Sequence, residues 1–254
     1  KQSGHITTNT IIAIQRVLEE NDAGIRKLPG TSLVNDATGE TIYTPPDDES
    51  TIRDLMRDLE NYLNTDVYPV DPLIRMAVAH YQFESIHPFY DGNGRTGRIV
   101  NVLYLVKEHL IGSPILYLSR NIIREKGEYY RLLQSVRSEG DWESWVLFML
   151  RAVEVTSGDT LTMIRQIVEM MNETVEVAKA ELPRTSYSKE LIETVFAQPY
   201  TKIEHLVQRG IAERRTASKY LKQLEDLGVL QSVRVWKQQI FINHRLMELL
   251  RRSA

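Results

Sequence analysis

The chain contains no cysteine, which excludes disulfide scaffolds and thiolate zinc sites and is compatible with a reducing compartment. It has no apolar run long enough to span a membrane, and its first residues lack the charged and apolar regions of a secretory signal. The expectation is a cytoplasmic protein with no membrane partner. Lys1 is not an initiator methionine, so residues are expected to have preceded it. What is present, 42 % hydrophobic and 26 % charged residues in 254, fits a globular protein of one or two domains rather than a disordered chain. A net charge of −3 hides an asymmetry: residues 184–254 carry a balance of +6, residues 1–183 a balance of −9. That shift predicts a domain boundary.

One stretch concentrates the chemistry: His87, Pro88, Phe89, Tyr90, Asp91, Gly92, Asn93, Gly94, Arg95, Thr96, Gly97 and Arg98. Before it, Asp71 and Pro72 read as the N-cap and first residue of a helix reaching Ile86. After it, Ile99, Leu103, Val106 and Leu110 repeat at the spacing of one helix face. Pro88 cannot continue the first helix, so the stretch is a loop ending in the first turn of the next. Such a turn offers unpaired N–H groups and the positive end of the helix dipole. Gly92, Gly94 and Gly97 let the backbone turn and a ligand approach. The backbone from Gly92 to Gly97, through Asn93 and Thr96, therefore reads as a phosphate nest. Arg95 and Arg98, three apart, can lean over that turn and clamp phosphate oxygens. Asp91 at its edge suits Mg²⁺, which takes one or two carboxylates plus phosphate oxygens. His87, just outside, is placed to take a proton from an incoming hydroxyl.

The run resembles the Fic family motif, His-Pro-Phe-x-(Asp/Glu)-Gly-Asn-Gly-Arg-x-x-Arg, with every specified position filled. The resemblance spans roughly residues 7–155 and implies a mainly α, Fic-type helical bundle with a small β-hairpin flap. It implies transfer of AMP from ATP to a Ser, Thr or Tyr hydroxyl of a target protein or of the chain itself, releasing pyrophosphate. In that division of labour His87 accepts the proton, Asp91 holds Mg²⁺, and the nest with Arg95 and Arg98 binds and neutralises the phosphates. Relatives that phosphorylate carry Lys at the position of Gly94, so Gly94 points to AMP transfer. Transfer of another phosphate-linked group, or removal of AMP, stays open.

Residues Thr31–Asn35 and Glu40–Thr44 read as two strands around a turn at 36–39, closed by Pro45 and Pro46. In the resemblance this hairpin, at about 31–46, is the flap along which an extended target segment pairs. A helix is expected over Ser119–Ser138, with Tyr130 set by the resemblance against the nucleotide base. Arg137 stands where relatives often have Asn. The family's inhibitory pattern, (Ser/Thr)-x-x-x-Glu-(Gly/Asn), matches once, from Ser135 to Gly140. It falls after the loop rather than ahead of the core or at its end, so Glu139 reads as a helix-end residue and an upstream inhibitory helix is expected.

Further helices are expected over Thr7–Glu20, capped by Asn9 or Thr10, and Ser50–Leu63, capped by Ser50. Ser157 and Gly158 are expected to interrupt the chain before a helix over 160–182. Beyond Pro183, three helices (188–196, 201–208, 214–227) and two strands (231–235, 239–243) look like a winged helix-turn-helix, with Arg214, Arg215, Lys219 and Lys222 on its third helix. The expected layout is a catalytic domain over 1–158, a connecting helix over 159–183 and the winged domain over 184–254. Its basic surplus suits DNA, and protein interaction or a homodimer are the other uses of such modules. A second class of function follows: a nucleotide-sensing, DNA-binding transcriptional regulator. Intact His87 and Asp91 favour an enzyme, because a sensor needs neither.

Overall fold

A computed structural model describes residues 4–34, 41–65, 69–183, 185–236 and 238–253. The chain divides into two compact units, Lys1–Ser157 and Gly158–Ala254. The first holds α1 (Thr8–Glu19), β1 (Leu33–Val34), β2 (Thr41–Tyr43), α2 (Glu49–Asn64), α3 (Pro72–Ile86), α4 (Asn93–Lys107), α5 (Leu118–Arg124), α6 (Lys126–Glu139) and the start of α7 (Trp142–Glu181). Its centre is α3, which starts on the Asp71 cap and Pro72 and buries residues all round, among them Arg75, His80 and Glu84. A helix buried on every face belongs inside a bundle, and α2 and α4 pack along it. Trp145 locks α7 onto it: the indole is fully buried, its N–H donates to Ala77 O at 2.9 Å, and its ring stacks on His80.

Two caps differ from expectation. Thr7 caps α1 by accepting the Thr10 N–H, so the helix begins ahead of Asn9. Asp48, not Ser50, caps α2; one carboxylate oxygen accepts the Thr51 N–H and the hydroxyls of Ser50 and Thr51. A carboxylate at the positive helix end outcompetes a neutral hydroxyl. The helix expected over 119–138 is two helices, α5 and α6, meeting at Glu125. Ser157 and Gly158 do not interrupt: α7 runs unbroken for 40 residues. One mid-helix glycine costs only about 1 kcal/mol against alanine, too little to break a helix of this length. The hairpin is present with shorter strands, β1 pairing antiparallel to β2 with an irregular register at Leu33 and Val34. Its expected turn at 36–39, with Asn35 and Glu40, lies outside the described residues.

The second unit holds the rest of α7, then α8 (Lys189–Phe196), β3 (Tyr200–Thr201), α9 (Ile203–Gln208), α10 (Arg214–Asp226), β4 (Gln231–Val235), β5 (Gln238–Ile242) and α11 (His244–Ser253). Its core gathers Leu191, Ile192, Val195, Leu206, Leu221, Leu224 and Phe241. The expected helix–helix–helix–hairpin order is followed, with two additions. The two-residue β3 completes an antiparallel sheet in the order β3-β5-β4, and α11 follows it. No helix among the described residues is long and apolar enough to cross a membrane.

Candidate active site

The site is assembled where α3 stops. His87 is the C-cap residue of α3, in the left-handed region at φ 47° and ψ 59°, with its N–H on Phe83 O. A residue with a Cβ holds that conformation only where the surroundings enforce it. Arg26 supplies the enforcement. Its fully buried side chain donates from Nε to His87 O at 2.8 Å and from Nη2 to Pro46 O, while its own N–H donates to Pro88 O at 2.9 Å. One guanidinium thus ties the segment after α1, the end of the flap and the loop after α3.

The loop is then clipped internally. Phe89 is wholly buried, and the Asn93 side chain accepts its N–H at 2.9 Å and donates to its carbonyl at 2.8 Å. Gly92 turns the chain at φ 79° and accepts the Thr96 N–H, the first helical hydrogen bond of α4. The N–H groups of Asn93, Gly94 and Arg95 therefore end the helix without a helical acceptor. Asp91 is exposed beside them, one carboxylate oxygen taking the Gly92 N–H at 2.6 Å.

His87, Glu84, Gly94, Tyr130 and Arg137 line one cavity of about 710 Å³, together with the flap residues Ser32, Leu33, Val34, Ile42 and Tyr43. That is the size of a small-ligand pocket. Burial, aided by the charge of Arg26, lowers the His87 imidazole to about 4. It is neutral at pH 7 and able to accept a proton. Burial raises the Glu84 carboxyl to about 7 against the pull of Arg98 and Arg137. Among the described residues no three acidic, His or Cys side chains cluster as a preformed metal site. A single exposed carboxylate on the loop, Asp91, nevertheless fits magnesium delivered on phosphates.

Several residues expected to touch phosphate are turned elsewhere. The Asn93 amide is used by Phe89, and the Thr96 side chain is buried, so only their backbones can serve the nest. Arg95 pairs with Glu19 of α1 at 2.6 Å. Arg98 lies across the nest: its Nη1 is 3.0 Å from where a Gly94 Cβ would stand, and its Nε donates to Ser119 at 2.8 Å. Gly97 serves packing, because a Cβ there would fall 2.8 Å from Glu84 Oε1 and 2.9 Å from Phe83. Arg137 stacks 3.7 Å over the Tyr43 ring and donates to Ser85 Oγ at 3.3 Å, fastening the flap to α6. Glu139 is exposed, and Gly140 simply ends α6 in the left-handed region. On α10, Arg214 pairs with Glu204, and Lys222 with Glu225 and Asp226, which removes half of the basic charge expected to face DNA. Sequence reasoning put Arg26 at the start of the flap resemblance and Tyr43 in its second strand without giving either a role, and missed Glu84. No local pattern marks Arg26, whose side-chain partners lie 20 to 61 residues away.

Residues 5–105 match the Fic/DOC family. The chain carries a Fic/DOC family domain. Residues 170–246 match a second family, described as the C-terminal domain of SoFic-like protein adenylyltransferases. Protein adenylyltransferase fic-1 of Caenorhabditis elegans is 32 % identical over 115 residues, 45 % of this chain and 21 % of that protein. Protein adenylyltransferase Fic of Drosophila erecta is 28 % identical over 148 residues, 55 % of this chain and 28 % of that protein. The chain thus spans under a third of the length of these curated relatives. A Fic family protein from Desulfovibrio desulfuricans G20 shares the fold, with a TM-score of 0.53 at 21 % identity, covering 94 % of this chain and 69 % of the other.

Proposed function

We propose that this Fic-domain chain is a protein adenylyltransferase, moving AMP from ATP to a hydroxyl of a protein segment aligned along the flap. The observation that carries the reading is a neutral His87 and the open N-terminus of α4 on one cavity walled by the flap. The phosphates would sit on the N–H groups of Asn93, Gly94 and Arg95, with Arg98 across them. Asp91 would hold Mg²⁺, which offsets phosphate charge when bound. The base would lie toward Tyr130, whose ring is half-exposed on the cavity. The target hydroxyl oxygen attacks the α-phosphorus, its proton passes to the His87 imidazole, and the bond to pyrophosphate breaks. Positioning and electrostatics provide most of the acceleration. The flap is a two-stranded sheet, and an extended target could pair along its open edge.

The experiment is intact-mass analysis after incubation with Mg-ATP, with the chain itself and a cell lysate as acceptors. Addition of one AMP, lost in His87→Ala while nucleotide binding persists, supports the reading. Addition of a phosphoryl group, or undiminished transfer by His87→Ala, would refute it.

A further inference from the structure

Glu84 lies one turn before His87 on α3, on the wall of the same cavity, and the mechanism above does not use it. The residue is 8 % exposed, and Oε1 has no hydrogen-bond donor. Charged and titratable groups face it from four elements. From α4 comes Arg98, beside Gly97, whose missing Cβ lets the two helices meet at the carboxyl. From α6 come Arg137 and Tyr129, the latter neutral and bonded to His80 Nε2 at 3.0 Å. From α3 itself come His80 and His87, both neutral at pH 7. From the flap comes Tyr43, whose ring covers Arg137. Arg98 bonds Ser119 and Arg137 bonds Ser85 rather than Glu84.

We propose that Glu84 is a positioning residue that takes up a proton when nucleotide enters, so that no carboxylate on the cavity wall competes with the phosphates for the charge of Arg98. The inference rests on the nucleotide reading above. Before nucleotide enters, an ionised Glu84 faces the Arg98 charge. A phosphate chain at α4 brings several negative charges beside that guanidinium, and these repel a carboxylate on the wall of the same cavity. The carboxyl is the group that yields, because burial already holds it near neutrality at about 7. The proton comes from solution to the carboxylate, and the full charge of Arg98 then acts on the phosphates. The sign is fixed by linkage: the complex holds more protons than the free protein, so binding weakens as pH rises through 7.

The test is titration calorimetry of the whole chain with a non-hydrolysable ATP analogue, saturated with Mg²⁺ so that its phosphates are already ionised. At pH 7.5, buffers of different ionisation enthalpy report protons taken up per nucleotide. The wild-type chain should take up a large fraction of a proton and Glu84→Gln none. The ratio of their dissociation constants should grow about fivefold between pH 7 and pH 8. If both bind with equal proton uptake and a flat ratio, the proposal is wrong and the nucleotide reading stands. Absence of nucleotide binding by the wild-type chain overturns both. Should Glu84→Gln not fold, the wild-type buffer series decides alone, since zero uptake is incompatible with the proposal.

Discussion

Replacing Arg26 by Met tests whether the loop is held from outside itself. The guanidinium makes two strong bonds, to His87 O and Pro46 O, and a longer one to Ile86 O at 3.4 Å. A hydrogen bond from a charged donor contributes about 1.5–3 kcal/mol, so losing the two strong ones costs about 3–6 kcal/mol. Part of this is returned, because burial opposes the charge of Arg26, and Met fills much of the volume without it. The net expectation is about 2–4 kcal/mol of destabilisation, read as a lowered urea midpoint. Transfer should suffer separately. His87 would lose the clamp on its left-handed backbone, and a displacement of about 1 Å at a reacting group costs about 100-fold in rate. The Arg26 charge also helps to hold the His87 imidazole down, so the acid limb of the rate profile should move to higher pH. A variant with an unchanged urea midpoint and an unshifted acid limb would refute the role assigned to Arg26.

The remaining predictions are briefer. Gly97→Ala should destabilise the first unit by about 1–3 kcal/mol, since its Cβ meets Glu84 Oε1, Phe83 Cδ1 and His80 Cε1 at 2.8, 2.9 and 3.2 Å; thermal melting at the wild-type temperature would contradict the close crossing. Below an unfolded pKa of about 6.5 the unfolded chain binds protons that native His80 and His87 refuse until about 3 and 4. Their contribution to stability therefore falls as pH drops from 6.5 toward 4, and His80→Phe should flatten that slope in urea titrations. Glu84 has the opposite sign, raised to about 7 in the fold, so its contribution is full below about 4.5 and fades as pH climbs to 7. Glu139→Gly should leave the transfer rate unchanged, because Glu139 is an exposed helix-end residue; a large rise would make the internal pattern a working inhibitor.

Legibility in the chain followed the range of the interaction that decides each feature. Asp71 and Pro72 start α3 through a side chain and a ring acting within one turn, and both were read correctly. The cap of α2 was misplaced because Asp48, Ser50 and Thr51 form one local network in which the charged oxygen takes every donor. The break expected at Ser157 and Gly158 overrated a local propensity of about 1 kcal/mol, which a 40-residue helix absorbs. The strand β3 has only two residues and gains its identity from pairing with Ile242 and Phe241, some forty residues on; no periodicity exists in so short a run.

Within the loop the same rule separates what a motif announces from what its residues do. Spacing alone made Gly92, Gly94 and Gly97 three parts of one ligand cradle. In the fold each missing Cβ answers a different neighbour: Glu19 of α1 at the Gly92 position, Arg98 at 3.0 Å from Gly94, and Glu84 at 2.8 Å from Gly97. Only Gly94 lines the cavity. The glycines are therefore first a solution for packing a charged loop between α1, α3 and α4, and the open helix N-terminus is its by-product. The two arginines divide in the same way. Arg95 is turned to a carboxylate of α1, whereas Arg98 is laid across the nest. Phosphate affinity should thus depend far more on Arg98 than on Arg95, a difference invisible in a sequence where the two are equivalent by spacing.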